Sequence, residues 1–82
     1  MIKIYTTNWC PSCNMAKTLL NEKGLSFEEI NIEEKNMSRD DLKELTGGVT
    51  VPQIVINNNS IGGFDSLVRM NSMGKLEELL KS

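Results

Sequence analysis

The chain has 82 residues, 39% of them hydrophobic and 24% charged, which is enough for one globular domain over residues 1–82 and too short for two. Its 9 basic and 11 acidic residues are interspersed and leave a net charge of −2, which argues against nucleic-acid and anionic-membrane partners. No apolar run reaches the roughly 18–20 residues of a membrane span, and the first residues lack the features of a signal peptide, so we expect a cytoplasmic protein.

The first half of the chain predicts a strand, a helix and a second strand. Ile2 to Thr6 alternates apolar and polar residues, which indicates a β-strand. A helix follows Cys10, and Gly24 with Leu25 provides its stop signal. Its apolar face, at helical spacing, consists of Met15, Ala16, Leu19 and Leu20. Phe27 to Ile32 predicts the next strand, parallel to the first and joined to it by a right-handed crossover.

A short helix is predicted next. Ser38 and Asp41 resemble a capping box in which aspartate replaces glutamate. We expect Leu42 and Leu45 to form the apolar face of this helix and residues 47–48, both glycine, to end it.

The remaining residues predict a β-hairpin followed by helices. Pro52 to Ile56 is an apolar run typical of a buried strand, residues 57–59 are a turn of three asparagines, and residues 60–61 form the return strand. Asp65 or Ser66 is expected to cap the following helix. The apolar face of the last helix consists of Leu76, Leu79 and Leu80. The sum is an α/β protein of about four strands.

Two cysteines separated by two residues stand between the first strand and the first helix. Pro11 favours a helix start there, because the first helical position needs no N–H donor. Cys10 then lies at unpaired amide groups and the positive end of the helix dipole, which can lower a thiol pKa from about 8.5 to between about 3.5 and 7.5. Cys13 lies inside the first turn and is better shielded. We therefore expect Cys10 to attack disulfides and Cys13 to resolve the product.

Other functions for two cysteines fit less well. A zinc site needs about four ligands, and the chain has two cysteines and no histidine. The absence of histidine also excludes a Cys–His hydrolase. A structural disulfide would close too small a loop to constrain the unfolded chain, although two unrelated buried cysteines remain an alternative. The position of the pair between strand and helix of a βαβ unit favours redox chemistry.

Three segments together resemble the glutaredoxins of the thioredoxin-fold superfamily. They are residues 5–13, which contain the Cys-Pro-Ser-Cys active-site sequence, with residues 16–17; residues 50–53, Thr-Val-Pro-Gln; and residues 61–65, Ile-Gly-Gly-Phe-Asp. They occur in the family's order, and the resemblance covers essentially the whole chain. It implies a thioredoxin-like α/β fold with a four-stranded mixed sheet in the order 2-1-3-4, flanked by helices.

The resemblance also implies roles for residues outside the cysteine pair. The Val51–Pro52 bond is expected to be cis, which would turn the Val51 backbone toward Cys10. Active-site support is expected from Pro11, Ser12 and Pro52. Glutathione is expected to bind at Thr50, Val51, Gly63, Phe64 and Asp65, with Asp65 meeting the ammonium of the γ-glutamyl group.

The implied activity is glutathione-dependent thiol–disulfide exchange, with glutathione as co-substrate and no cofactor or metal. The expected partners are glutathione and disulfide-bonded or glutathionylated proteins, with ribonucleotide reductase among the candidates, and the expected state is a monomer. One alternative is a redoxin that thioredoxin reductase reduces and that donates electrons to ribonucleotide reductase. Another is an iron–sulfur carrier, in which two protomers hold a cluster through Cys10 and glutathione. Pro11 argues against the carrier, because family members with that proline generally lack clusters.

Several positions depart from the family pattern. Thr7 stands where a lysine often helps to bind glutathione, Ser12 replaces a tyrosine, and Phe64 replaces a cysteine common in dithiol members. Arg39 or Lys43 is the candidate receiver of the glycyl carboxylate. Trp9 is expected to be a partly exposed residue at the rim of the site. Most simply, the methionines fill the core; these are Met15, Met37, Met70 and Met73.

Overall fold

A computed structural model describes residues 1–81. The elements in chain order are β1 (Ile2–Thr6), α1 (Pro11–Glu22), β2 (Glu28–Asn31), α2 (Arg39–Thr46), β3 (Gln53–Ile56), β4 (Asn59–Gly62), α3 (Phe64–Ser72) and α4 (Lys75–Lys81). Every strand and helix predicted from the sequence is present, with ends that differ by at most three residues. Within residues 1–81, none of the helices has both the length and the apolar character that a bilayer crossing requires.

The strands form one mixed sheet in the order β2-β1-β3-β4. β1 is parallel to β2 and antiparallel to β3, and β4 is antiparallel to β3. This arrangement confirms the predicted thioredoxin-like fold. Thr6 pairs with Asn31 at one end of the sheet, and Tyr5 pairs with Gln53 at the same end. The loops that follow β1 and β2 and the segment that precedes β3 therefore meet at one edge.

Both faces of the sheet are covered by helices. On one face, residues from β1 and β3 pack with α1, α3 and α4. This larger cluster consists of Ile2, Ile4, Ala16, Leu20, Ile54, Ile56, Leu67 and Leu76. Tyr5 points to the opposite face, because side chains alternate along a strand, and joins Ile32 and Leu42 of α2 in a smaller cluster.

The ends of α1 and α2 show the signals expected from the sequence. Gly24 has a φ of +71°, and the N–H of Leu25 donates to the carbonyl oxygen of Leu20 at 3.0 Å, which closes α1 with a Schellman motif. Ser38 and Asp41 form the predicted capping box, each side chain accepting from the other's backbone N–H at 3.0 Å. The capping box and the Schellman motif are local, so the sequence alone could predict them.

The start of α3 differs from the prediction. Gly63, and not Asp65 or Ser66, is the N-cap residue, and no side chain caps the helix. The helix begins at Phe64 because this residue is partly buried against the larger core cluster, which places the helix start directly after β4. Asp65 and Ser66 consequently lie inside the first turn.

Three residues predicted to be buried are exposed. Leu45 is 57% exposed because α2 spans only eight residues and leaves part of the sheet uncovered; Leu45 borders that uncovered part with Lys3 and Val55. Met15 is 53% exposed, since α1 turns Ala16 toward the core. Met73, at the end of α3, is 59% exposed. Of the methionines expected in the core, Met37 packs against the smaller cluster.

Candidate active site

The cysteine pair occupies the start of α1, as the sequence predicts. Cys10 is the N-cap residue with extended backbone (φ −154°, ψ 94°), and Pro11 is the first helical residue. The Sγ of Cys10 accepts a hydrogen bond from the N–H of Cys13 at 3.1 Å. The two residues are joined by a disulfide, with 5.2 Å between their Cα atoms. An amide N–H and the helix dipole thus both face the Cys10 sulfur, and both favour negative charge there.

The two cysteines differ in accessibility. Cys10 is partly exposed, whereas Cys13 is 1% exposed and belongs to the buried residues of α1. An incoming thiolate must approach a disulfide sulfur from solvent, so the accessible sulfur is that of Cys10. Among residues 1–81, no group of three or more His, Cys, Asp or Glu side chains is arranged to hold a metal ion.

A pair of asparagines holds the loop that leads into Cys10. The Nδ2 of Asn31 donates to the Oδ1 of Asn8 at 2.9 Å, and the N–H of Asn8 donates to the Glu33 carboxylate at 3.3 Å. The next residue, Trp9, is 83% exposed at the rim of the site, more exposed than expected. The sequence offered no signal for Asn8 and Asn31, because only the parallel pairing of β1 with β2 brings them together.

A polar network connects α1 to the sheet below the cysteines. The Nζ of Lys17 lies 3.1 Å from the Glu29 carboxylate, which also accepts from the hydroxyl of buried Thr6 at 2.8 Å. Burial raises the pKa of Glu29, but the hydrogen bonds from Thr6 and Lys17 and the charge of Lys17 outweigh it, so the pKa lies below its usual value. Lys17 is therefore engaged by Glu29.

A groove of about 340 Å³ opens beside the cysteine pair. Its lining consists of Ser12, Thr50, Val51, Pro52, Gly63, Phe64, Asp65 and Ser66. The structure thus brings together all five residues predicted to bind glutathione. Two of the three predicted support residues, Ser12 and Pro52, also line the groove, whereas Pro11 lies at the start of α1 and is not part of the lining. The Val51–Pro52 bond is cis, as predicted. Ser66, which the sequence predicts only as a possible helix cap, also lines the groove.

The two walls of the groove come from segments far apart in the chain. A Cβ on Gly63 would lie 3.4 Å from the carbonyl oxygen of Pro52, so the turn before α3 packs directly against the segment before β3. On the second wall, the Nε2 of Gln53 donates to the hydroxyl of Thr50 at 3.3 Å. The Nη1 of Arg39 donates to the carbonyl oxygen of Val49 at 2.9 Å, which places this cation next to Thr50.

The Asp65 carboxylate and uncapped backbone N–H groups lie together at the end of the groove formed by α3. Asp65 is exposed and makes no ion pair within residues 1–81. The first backbone bond of α3 runs from the N–H of Leu67 to the carbonyl oxygen of Gly63 at 3.1 Å. The preceding N–H groups of the helix have no intrahelical acceptor, and no side chain caps them. This end of the groove can therefore receive a carboxylate and an ammonium side by side.

A thioredoxin-like sheet with a Cys-x-x-Cys disulfide at the start of its first helix defines a thiol–disulfide oxidoreductase. The sequence matches the family model described as Glutaredoxin over residues 2–61. It is also 42% identical, over 80 residues, to glutaredoxin 3 of Escherichia coli (strain K12), an alignment that covers 98% of this chain and 96% of the relative. The chain belongs to the glutaredoxin family.

Solved structures give the same result for the fold. The holo form of glutaredoxin C1 from Populus tremula x tremuloides superposes with a TM-score of 0.87 at 30% identity, covering 98% of this chain and 82% of that one. The buckwheat glutaredoxin–glutathione complex also has a TM-score of 0.87, at 26% identity, covering 98% of this chain and 76% of that one.

Proposed function

We propose that this chain is a glutathione-dependent oxidoreductase that reduces protein disulfides and glutathione mixed disulfides through Cys10. One observation carries the proposal: the five residues expected to bind glutathione line a single groove that begins at Ser12, between the two cysteines. The buckwheat relative, whose structure contains glutathione, supports it.

The chemistry of the groove matches the parts of glutathione. The tripeptide has two carboxylates, one ammonium and a central cysteinyl unit with an N–H and a carbonyl group. The backbone of Val51 can pair with the cysteinyl unit, and the uncapped N–H groups of α3 can receive the γ-glutamyl carboxylate. The Asp65 carboxylate can then bind the ammonium. Arg39, held at Val49 beside the groove, is a better placed receiver for the glycyl carboxylate than Lys43, because no side-chain hydrogen bond or ion pair within residues 1–81 holds Lys43 near the groove.

In the reaction with a glutathionylated protein, Cys10 acts as the nucleophile. Its thiolate attacks the glutathionyl sulfur, a Cys10–glutathione disulfide forms, and the protein sulfur leaves as a thiolate that takes up a proton. The thiolate of a second glutathione attacks the glutathionyl sulfur of this adduct. Glutathione disulfide leaves, and the Cys10 thiolate is restored.

In the reaction with a protein disulfide, both cysteines take part. Cys10 attacks one sulfur and forms a mixed disulfide with the protein, while the other protein sulfur leaves as a thiolate. Cys13 then attacks the Cys10 sulfur, the second protein thiolate leaves, and the Cys10–Cys13 disulfide forms. Two glutathione molecules reduce this disulfide and become glutathione disulfide. The 5.2 Å separation of the Cα atoms in the Cys10–Cys13 disulfide is within the usual range for such a bond, which supports Cys13 as the resolving thiol.

We further propose that the chain acts as a monomeric domain of residues 1–82 in the cytoplasm, without a metal or an organic cofactor. Its substrates would be glutathionylated or disulfide-bonded proteins, and ribonucleotide reductase is a candidate among them.

The electron donor tests this proposal. The oxidised protein is supplied with NADPH and a glutathionylated peptide as substrate. One reaction also contains glutathione and glutathione reductase, and the other contains thioredoxin reductase. The oxidation of NADPH is followed in both. We expect efficient turnover with glutathione and little with thioredoxin reductase. The opposite result would favour the redoxin alternative, which the uncharged Thr7 in place of a lysine supports.

A further inference from the structure

We propose that a second groove, along α1, binds the polypeptide part of the disulfide substrate, with an apolar side chain between Met15 and Phe64 and a basic side chain at Glu22. This groove, the α1 groove, has a volume of about 350 Å³ and is lined by Asn14, Met15, Thr18, Leu19, Glu22 and Phe64. The proposal rests on the proposed function, because it assigns the part of the substrate that is not glutathione.

The α1 groove continues from the site of disulfide exchange. Phe64 lines both this groove and the groove beside the cysteines. On α1, Pro11, Met15 and Glu22 share one helix face, since residues four and eleven apart lie nearly above one another. This face begins at the residue after Cys10, and Met15 lies about 6 Å along the helix axis from Pro11. A chain bonded to or leaving from Cys10 can thus reach Met15 within about two extended residues.

The composition of the α1 groove indicates what it binds. Met15 is exposed although its neighbour Ala16 is fully buried, and Leu19 and Phe64 are only partly buried. Leu19 and Phe64 pack against the larger cluster with only part of their surface, so the rest of that surface and Met15 give the groove an apolar lining. A methionine adapts its shape to different apolar partners. The first groove accommodates glutathione in the proposed reaction, so the polypeptide must lie elsewhere around Cys10, and the α1 groove provides apolar surface for it.

The charge at the far end of the α1 groove indicates that the substrate also carries a basic residue. Glu22 is exposed and makes no ion pair within residues 1–81. It lies about 10 Å along the axis from Met15, a distance that roughly three extended residues span. The favoured substrate therefore has an apolar residue about two positions from its cysteine and a lysine or arginine about three positions beyond that.

Glutathionylated peptides test the proposal. One peptide has Leu two positions from the glutathionylated cysteine and Lys three positions further; a second replaces Leu by Ser, and a third replaces Lys by Glu. Each is made in both chain directions, and glutathionylated cysteine serves as the small substrate. For peptides of one chain direction, we expect kcat/KM to fall about fivefold when Ser replaces Leu, because part of a leucine side chain is no longer buried. We expect a fall of about twofold to threefold with Glu, which disappears in high salt.

Two substitutions with matched controls test whether these peptide preferences arise in the α1 groove. Met15→Ser should abolish the preference for Leu, whereas Met73→Ser, at an equally exposed methionine at the far end of α3, should retain it. Glu22→Lys should reverse the preference between Lys and Glu, whereas Glu78→Lys on α4 should not. All four variants should reduce glutathionylated cysteine at the rate of the unmodified protein.

The outcomes distinguish this inference from the proposed function. If the protein reduces glutathionylated cysteine but treats the three peptides alike in both directions, the α1 groove is not a substrate site. If Met73→Ser removes the preference as fully as Met15→Ser, the same conclusion follows. If no glutathionylated substrate is reduced, the proposed function itself fails.

Discussion

At the scale of single residues, two cysteines of one helical turn have different surroundings. Cys10 lies at the helix start, its Sγ accepts an N–H and the residue is partly exposed, whereas Cys13 is buried. Burial in apolar surroundings disfavours a thiolate, and a helix N-terminus favours it. The division of roles that we propose between attacking and resolving thiol therefore rests on position and not on residue type.

We predict that in the reduced protein Cys10 is alkylated with an apparent pKa below the value of about 8.5 for a free thiol, while Cys13 reacts slowly. Alkylation by iodoacetamide across a pH series, followed by mass spectrometry of the peptides, measures both thiols. Cys13→Ser should retain reduction of glutathione mixed disulfides, and Cys10→Ser should lose it. Equal alkylation rates at the two thiols would contradict the assignment.

Single charges should likewise control the affinity for glutathione. We predict that Asp65→Asn raises the KM for glutathione by about tenfold or more, because a charge-assisted hydrogen bond is worth about 1.5–3 kcal/mol. Thr7→Lys should lower the KM by restoring a cation at the site. Glu78→Gln, which removes an exposed carboxylate on α4, is the control and should leave the KM unchanged. Steady-state kinetics at varied glutathione concentration measures these effects. An unchanged KM in Asp65→Asn would mean that Asp65 does not bind glutathione.

At the scale of elements, α1 is attached to the sheet by more than apolar packing. Lys17 of α1 pairs with Glu29 of β2, and Glu29 in turn accepts the hydroxyl of Thr6 at the end of β1. The network lies in the elements that carry the cysteine pair. Since its carboxylate has a lowered pKa, its contribution to stability depends on pH.

We predict a loss of this contribution in acid. A carboxyl group whose pKa is lower in the folded state stabilises the fold above its ordinary pKa of 4.5 and loses that effect as the pH falls through the folded value. At neutral pH the free energy of unfolding of the unmodified protein should therefore exceed that of Glu29→Gln by about 0.5 kcal/mol, a value typical of exposed pairs. The difference should shrink below pH 4.5. Urea unfolding at several pH values measures it, and a difference that grows in acid would contradict the role of Glu29.

At the scale of the whole molecule, the two faces of the sheet are unequally covered. Three helices pack on the larger cluster, but α2 alone covers the other face, and it covers that face only in part. For a domain of this length the total stability is about 4–12 kcal/mol. The few buried residues of α2 are therefore important for the stability of the entire fold.

We predict that Leu42→Ala destabilises the protein by about 2–5 kcal/mol, because it removes a fully buried side chain from the smaller cluster. Leu45→Ala, three residues further along the same helix, should change the stability by less than about 0.5 kcal/mol, because Leu45 is exposed. Urea unfolding followed by circular dichroism compares the two variants. Similar losses in both would mean that α2 buries Leu45 as well.

Much of the fold could be predicted because its signals are local. The alternation of Ile2 to Thr6, the capping box of Ser38 and the helix stop at Gly24 depend on neighbours within four or five residues. The spacing of Cys10 and Cys13 belongs to the same class. These features are local hydrogen bonds and backbone preferences, which the residue types themselves impose. The family resemblance supplied the sheet order and the members of the groove, which local signals do not contain.

What only the tertiary structure decided concerns residues distant in the chain. Leu45 and Met15 have the spacing of buried residues, yet they are exposed, because burial depends on how far a neighbouring element extends. Phe64 shifted the start of α3 by packing on the core, and the pairing of β1 with β2 joined Asn8 to Asn31. Periodicity specifies which face of an element is apolar. It does not specify how much of that face another element covers. The part of the α1 surface that no other element covers forms the α1 groove.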